Sequence, residues 1–106
     1  MFAPRMSVVM PVFNVEDYIA EAIRSVLGQS FKDFELIVVD DGGNDSSMEI
    51  ARSFDDPRIR IISQANRGLA GARNTGIAFA RAPYIALLDS DDRWHEDKLL
   101  LHYVHL

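Results

Sequence analysis

Four short apolar runs, Ser7–Phe13, Phe34–Asp40, Ile59–Ile62 and Tyr84–Leu88, alternate with stretches of helical spacing along this chain. That rhythm constrains the fold more than any single residue does. The runs are rich in Val, Ile and Leu and show little polar alternation, the pattern of strands buried on both faces. After the first run, Tyr18, Ile19, Ala22, Ile23, Val26 and Leu27 recur at helical spacing. Asn14 is placed to cap that helix, with Asp17 three residues on, and Gly28 closes it. A second helix is expected through Met48, Ile50, Ala51 and Phe54, capped by Asp45 or Ser46 and followed by the turn Asp55-Asp56-Pro57. A third opens at Gly68, with Leu69, Ala72, Ile77 and Ala80 expected to face a sheet, and another begins near Lys98. Strands joined through helices rather than tight turns run parallel. The order therefore predicts an α/β fold, Rossmann-like, with a mostly parallel sheet and helices on both faces.

Composition narrows the chemistry. At 106 residues the chain is one domain at most. It has no cysteine, so a bound metal must sit on oxygen or imidazole. A net charge of −5 argues against a nucleic-acid surface. No apolar stretch reaches the length of a membrane span, and the N-terminus lacks the apolar core of a signal peptide. A cytoplasmic location is the expectation, with peripheral attachment at the inner membrane face as its variant.

In parallel α/β sheets, ligands bind beyond the carboxyl ends of the strands, near the point where strand order reverses. The polar groups of this chain gather at that edge. Asn14 follows the first strand, Asp40 and Asp41 the second, Asn66 and Arg67 precede the third helix, and Asp89, Asp91 and Asp92 follow the fourth strand. Carboxylates packed as closely as the last three repel one another, and a divalent cation relieves that repulsion. Taken alone, such a cluster is equally a solvated acidic loop capping the next helix. The shared edge favours a site. Arg73 has a plain alternative as a surface arginine lying over apolar packing. Phe13 and Trp94 read first as core residues, and His102 and His105 as surface residues.

Four segments taken together, Val8–Asn14, Ile37–Gly42, Asn66–Ile77 and Leu88–Trp94, resemble the nucleotide-binding half of family 2 glycosyltransferases, which have the GT-A fold. The resemblance spans nearly the whole chain, in order and spacing. It implies transfer of a sugar from a nucleoside diphosphate-sugar donor to a saccharide or lipid-linked acceptor, as in polysaccharide or cell-wall biosynthesis. Inversion at the anomeric carbon and Mn²⁺ or Mg²⁺ as cofactor are also implied. By that resemblance Pro11, Phe13 and Asn14 line the base pocket, Asp40 reads the base edge with Asp41 near it, and Arg73 lies close to the nucleotide. Asp89 and Asp91 match the family's Asp-x-Asp, with Asp91 the principal metal ligand and Asp89 and Asp92 further ones. Gly43 departs from the family's usual Ser, and His95-Glu96 stands where a Pro is common.

Family members carry a second half that supplies the acceptor site and an Asp or Glu general base. Residues 1–106 are accordingly expected to be a truncated donor-binding portion, binding donor without transferring alone and prone to self-association. No catalytic base is assigned. The rival from another class is a non-catalytic nucleotide-binding module of the same fold. A response-regulator receiver would need its acidic pair after the first strand and a Lys-Pro, which this chain lacks. A haloacid-dehalogenase phosphatase would open on Asp89-Ser-Asp91 rather than reach it near the end. A dinucleotide-binding domain would want a glycine-rich turn where Pro11–Asn14 stands.

Overall fold

The computed structural model describes residues 4–89, 98 and 99. In chain order they form β1 (Met6–Val12), α1 (Ile19–Leu27), β2 (Phe34–Asp40), α2 (Ser47–Arg52), β3 (Ile59–Ser63), α3 (Gly68–Phe79) and β4 (Tyr84–Leu87). All strand pairs are parallel, and the sheet order is β3-β2-β1-β4. The chain therefore steps outward from β1 to β3, then returns across the sheet to place β4 beside β1. Right-handed crossovers in opposite directions put their helices on opposite faces. That is the arrangement found: α1 and α2 pack with Met6, Val8, Met10, Leu36 and Val38, while α3 packs with Val9, Ile37 and Val39.

Every residue of β1 is buried, as the lack of polar alternation requires of a central strand covered on both sides. In α1, Ile19, Ala22, Ile23 and Val26 form the buried stripe, and the Gly28 N–H closes the helix on the Arg24 carbonyl at 2.9 Å. One local expectation is corrected. The first helix begins at Ile19, and Asn14 does not cap it. Asn14 instead adopts a left-handed φ of 51°, and its Oδ1 accepts from the Asn44 and Asp45 N–H groups at 2.8 and 3.3 Å. It ties the loop after β1 to the loop after β2. At α2, Asp45 serves as the local cap, its Oδ1 accepting from the Ser47 N–H at 2.9 Å and the Ser47 hydroxyl at 2.6 Å.

The third helix is the larger surprise. Of the residues expected to face the sheet, Ala72 is buried and Ala80 packs beside it, but Leu69 and Ile77 are 52% and 41% exposed, and Gly76 is buried with Ala72. A Cβ on Gly76 would collide with Val9 Cγ1 and stand 3.2 Å from Val39 Cγ2. The small residues let α3 lie close over β1 and β2, which turns its larger apolar side chains to the flanks. Beside it, Ile85 and Leu87 of β4 stay partly uncovered on the same face. Lys98 and Leu99 are helical, and Leu99 is buried with its N–H on Gln29 Oε1 at 2.8 Å.

Candidate functional site

The carboxyl ends of the strands converge where the order reverses between β1 and β4, and there the chain encloses a cleft of about 390 Å³. Pro11 and Phe13 come to it from the end of β1, Asp41 from β2, Asn66 and Leu69 from the start of α3, and Asp89 from β4. Phe13 is 48% exposed, so its ring belongs to the cleft wall and not to the core. Leu69, expected against the sheet, stands on the wall because of the close seating of α3.

Adjacent residues at a strand end point to opposite faces, and this separates the two acidic residues after Val39. Asp41 turns toward α3 and the cleft. It is buried, and its Oδ1 accepts from Gln64 Nε2 and the Arg67 N–H, both at 2.9 Å. Those donors offset the cost of taking a carboxylate out of water and fix the loop leading into α3. Asp40 turns the other way. Its Oδ1 accepts from the Gly42 N–H at 3.1 Å and its Oδ2 from the Ser63 hydroxyl at 3.2 Å. It lines a smaller cavity of about 220 Å³ beside α2, together with Asn14, Gly43 and Arg52.

Arg73 reaches across from α3 to Asp89, with Nη2 to Oδ1 at 2.9 Å. Its guanidinium holds the carboxylate at the rim rather than lining the cleft itself, and its buried Nε has no partner among the described residues. The expected site residues thus divide. Pro11, Phe13, Asp41 and Asp89 share one cleft, Arg73 touches it through Asp89, and Asn14 and Asp40 sit in the neighbouring cavity. Asp91 and Asp92 lie outside the described residues. Among the described residues no group of three potential metal ligands occurs. Asp89 nevertheless offers oxygen, the donor that hard divalent cations prefer, and Arg73 engages only one of its two oxygens by the bond given above.

A parallel α/β sheet with a cleft at its switch point and acidic residues on both walls is consistent with the GT-A class of folds, and comparison with known proteins agrees. The structure superimposes on residues 1–349 of TarS from S. aureus in complex with UDP, with a TM-score of 0.88 and 27% identity. That match covers 94% of this chain and 31% of the other. A mannosyltransferase, PcManGT from Pyrobaculum calidifontis in complex with GDP-Man and Mn²⁺, gives 0.83 and 26% identity over 91% of this chain and 30% of that one. In sequence, the uncharacterized glycosyltransferase EpsJ of Bacillus subtilis (strain 168) is 50% identical over 91 residues, 84% of this chain and 26% of its own length. The family model for glycosyl transferase family 2 matches residues 7–104, and the chain belongs to that family. It spans about a quarter to a third of these relatives' lengths. Among the described residues no helix is long and apolar enough to cross a membrane.

Proposed function

We propose that this chain is the donor-binding part of a metal-dependent, inverting glycosyltransferase that moves a sugar from a nucleoside diphosphate-sugar to a saccharide or lipid-linked acceptor. The observation that carries the reading is the cleft: an accessible aromatic ring, Phe13, and two carboxylates, Asp41 and Asp89, line a single cavity. A half-exposed ring at a cleft wall offers its face to a planar base. Asp41 stands on that same cleft with an accepting carboxylate. It suits the N–H edge of a base better than Asp40, which faces α2. The UDP and GDP-Man held by the two structural neighbours are the kind of ligand such a cleft would take.

A diphosphate is anionic, and Asp89 cannot receive it unaided. Asp91, with Asp89 and Asp92, would hold Mn²⁺ or Mg²⁺, which supplies positive charge and Lewis acidity for the departing diphosphate. Arg73 keeps Asp89 in place. In transfer, the acceptor oxygen bonds to the anomeric carbon as the bond to the diphosphate oxygen breaks, and a base takes the acceptor's proton. Of the carboxylates on the cleft, Asp41 is engaged by Gln64 and Arg67, and Asp89 by Arg73. As the family resemblance implies, the base belongs to an acceptor half, for which the greater length of the relatives leaves room. The apolar strip of Ile85 and Leu87 is where self-association of the isolated chain would be built.

The test is calorimetric titration of the 106-residue chain with UDP and GDP, with and without Mn²⁺, followed by a transfer assay with UDP-sugar and a panel of acceptors. Mn²⁺-dependent binding in the high micromolar to millimolar range is expected, weakened about tenfold or more in Asp91→Asn, with no acceptor-dependent turnover. Binding of neither nucleotide would overturn the reading. Robust transfer would place a base on this chain, with Asp92, Glu96 and Asp97 the first to test. Nucleotide binding without turnover in any longer form of the protein would favour the non-catalytic module.

A further inference from the structure

Glu35 is an acid within an otherwise apolar strand, at the end of the sheet opposite the cleft, and its side chain is fully buried. Its Oε2 accepts from the Ser7 hydroxyl at 2.6 Å and the Arg81 N–H at 2.8 Å. Its Oε1 accepts from Arg60 Nη1 at 2.8 Å and Arg81 Nε at 3.0 Å. The Ser7 hydroxyl in turn accepts from the Ala82 N–H at 3.1 Å, and Arg60 Nη1 also donates to the Phe79 carbonyl at 3.0 Å. One carboxylate thereby grips the last turn of α3 and the two residues that lead toward β4.

Both members of the Arg73–Asp89 pair hang from those elements. Arg73 lies on α3, and Asp89 follows β4. Among the described residues β4 is an edge strand of four residues, paired on one side from Met6↔Tyr84 to Val9↔Leu87. So short an edge has little to fix its register. A slip of two residues preserves its faces yet would carry Asp89 about 6.6 Å along the sheet, out of reach of Arg73. The grip on Arg81 and Ala82 removes that freedom. Building on the donor-site reading, we propose that Glu35 is a positioning residue: by pinning the approach to β4 and the end of α3, it sets where Asp89 stands against Arg73 and the cleft.

The variants that test this are Glu35→Gln and the milder Ser7→Ala, with Asp56→Asn as the comparison. Asp56→Asn breaks the Asp56–Arg58 pair before β3 and lowers stability without touching α3 or β4. Native-state hydrogen exchange reads the Leu88 amide, bonded to the Val9 carbonyl at 3.0 Å, against the Asp41 amide, bonded to the Val12 carbonyl at 3.0 Å. In Glu35→Gln and Ser7→Ala, Leu88 should exchange about tenfold faster relative to Asp41, while Asp56→Asn leaves the ratio unchanged. Mn²⁺-dependent UDP affinity should fall about fivefold in Glu35→Gln, with uridine bound as by the unaltered chain. Should Leu88 and Asp41 quicken together, or the ratio stay fixed, Glu35 is part of the core and nothing more. If the unaltered chain binds no UDP, the donor reading fails, and the exchange ratio alone decides whether Glu35 positions Asp89.

Discussion

Asp40 and Asp41 are neighbours in sequence, yet they serve different cavities, because successive side chains on a strand end leave by opposite faces. Asp41→Ala should therefore weaken uridine and UDP binding alike, by about 1.5–3 kcal/mol for a lost bond to a charged group. Asp40→Ala should leave both within about 0.5 kcal/mol. Equal losses from the two variants would return the base to Asp40. Phe13→Ala should cost about 1–3 kcal/mol of nucleoside binding, since stacking is a per-base contact. Its effect on urea stability should stay within about 0.5 kcal/mol, because the ring is half exposed. Calorimetry and urea denaturation on the same preparations separate these outcomes. The sequence made both carboxylates visible as a pair. Which of them meets the ligand depends on which side of the sheet α3 covers, and no local signal carries that.

Helix α3 shows how one element serves both packing and site. Of the stripe expected from sequence, Ala72 does face the sheet, but Leu69 and Ile77 do not, and Gly76 stands beside Ala72. A stripe of small residues is a weak hydrophobic signal even where it marks the closest approach in the structure. Gly76→Ala should destabilise the protein by about 1–3 kcal/mol, as overpacking against Val9 forces the helix outward. Gly71→Ala on the same helix would bring its Cβ 2.5 Å from Arg67 Cβ, also a clash, but there the exposed first turn of α3 can shift, so it should cost less. Urea midpoints for the two variants make the comparison. A Gly76 variant as stable as the unaltered chain would mean that α3 can retreat freely, and the cleft wall at Leu69 would then be soft as well.

At the scale of the whole molecule, three carboxyl groups among the described residues titrate below their ordinary range, and all of them join separate parts of the chain or brace a turn. For Glu35, burial pushes the pKa up, but the Ser7 hydroxyl and the bonds from Arg81 and Arg60 outweigh it and the net direction is down. The Ser47 hydroxyl lowers Asp45, and the Arg58 side chain lowers Asp56. A group with a depressed folded pKa binds its proton more readily when unfolded. Its stabilising contribution is complete above the unfolded value and is lost as pH falls through the folded one. Stability by urea denaturation should accordingly hold level down to about pH 5 and decline below about pH 4. Glu35→Gln should be less stable near neutrality and show a shallower acid decline, since one of the depressed carboxylates is gone. An unchanged acid slope in that variant would mean that other carboxylates govern acid unfolding.

The sequence by itself determined the four strands, the intervening helices, the parallel sheet and the edge on which the polar groups meet. Those follow from periodicity and from short-range chemistry, and family resemblance pointed the same segments toward the proposed donor site. Tertiary structure decided what periodicity does not encode. It gave Asp41 rather than Asp40 to the cleft and moved Asn14 from a helix cap to a clasp between two loops. It turned Leu69 from the sheet to the cleft wall and joined Arg73 to Asp89. It also gathered Ser7, Glu35, Arg60 and Arg81 from four distant stretches into one buried network. The physical reason is the same in each case. A side chain's direction is set by its own backbone, but its partner is set by which element the fold lays across it.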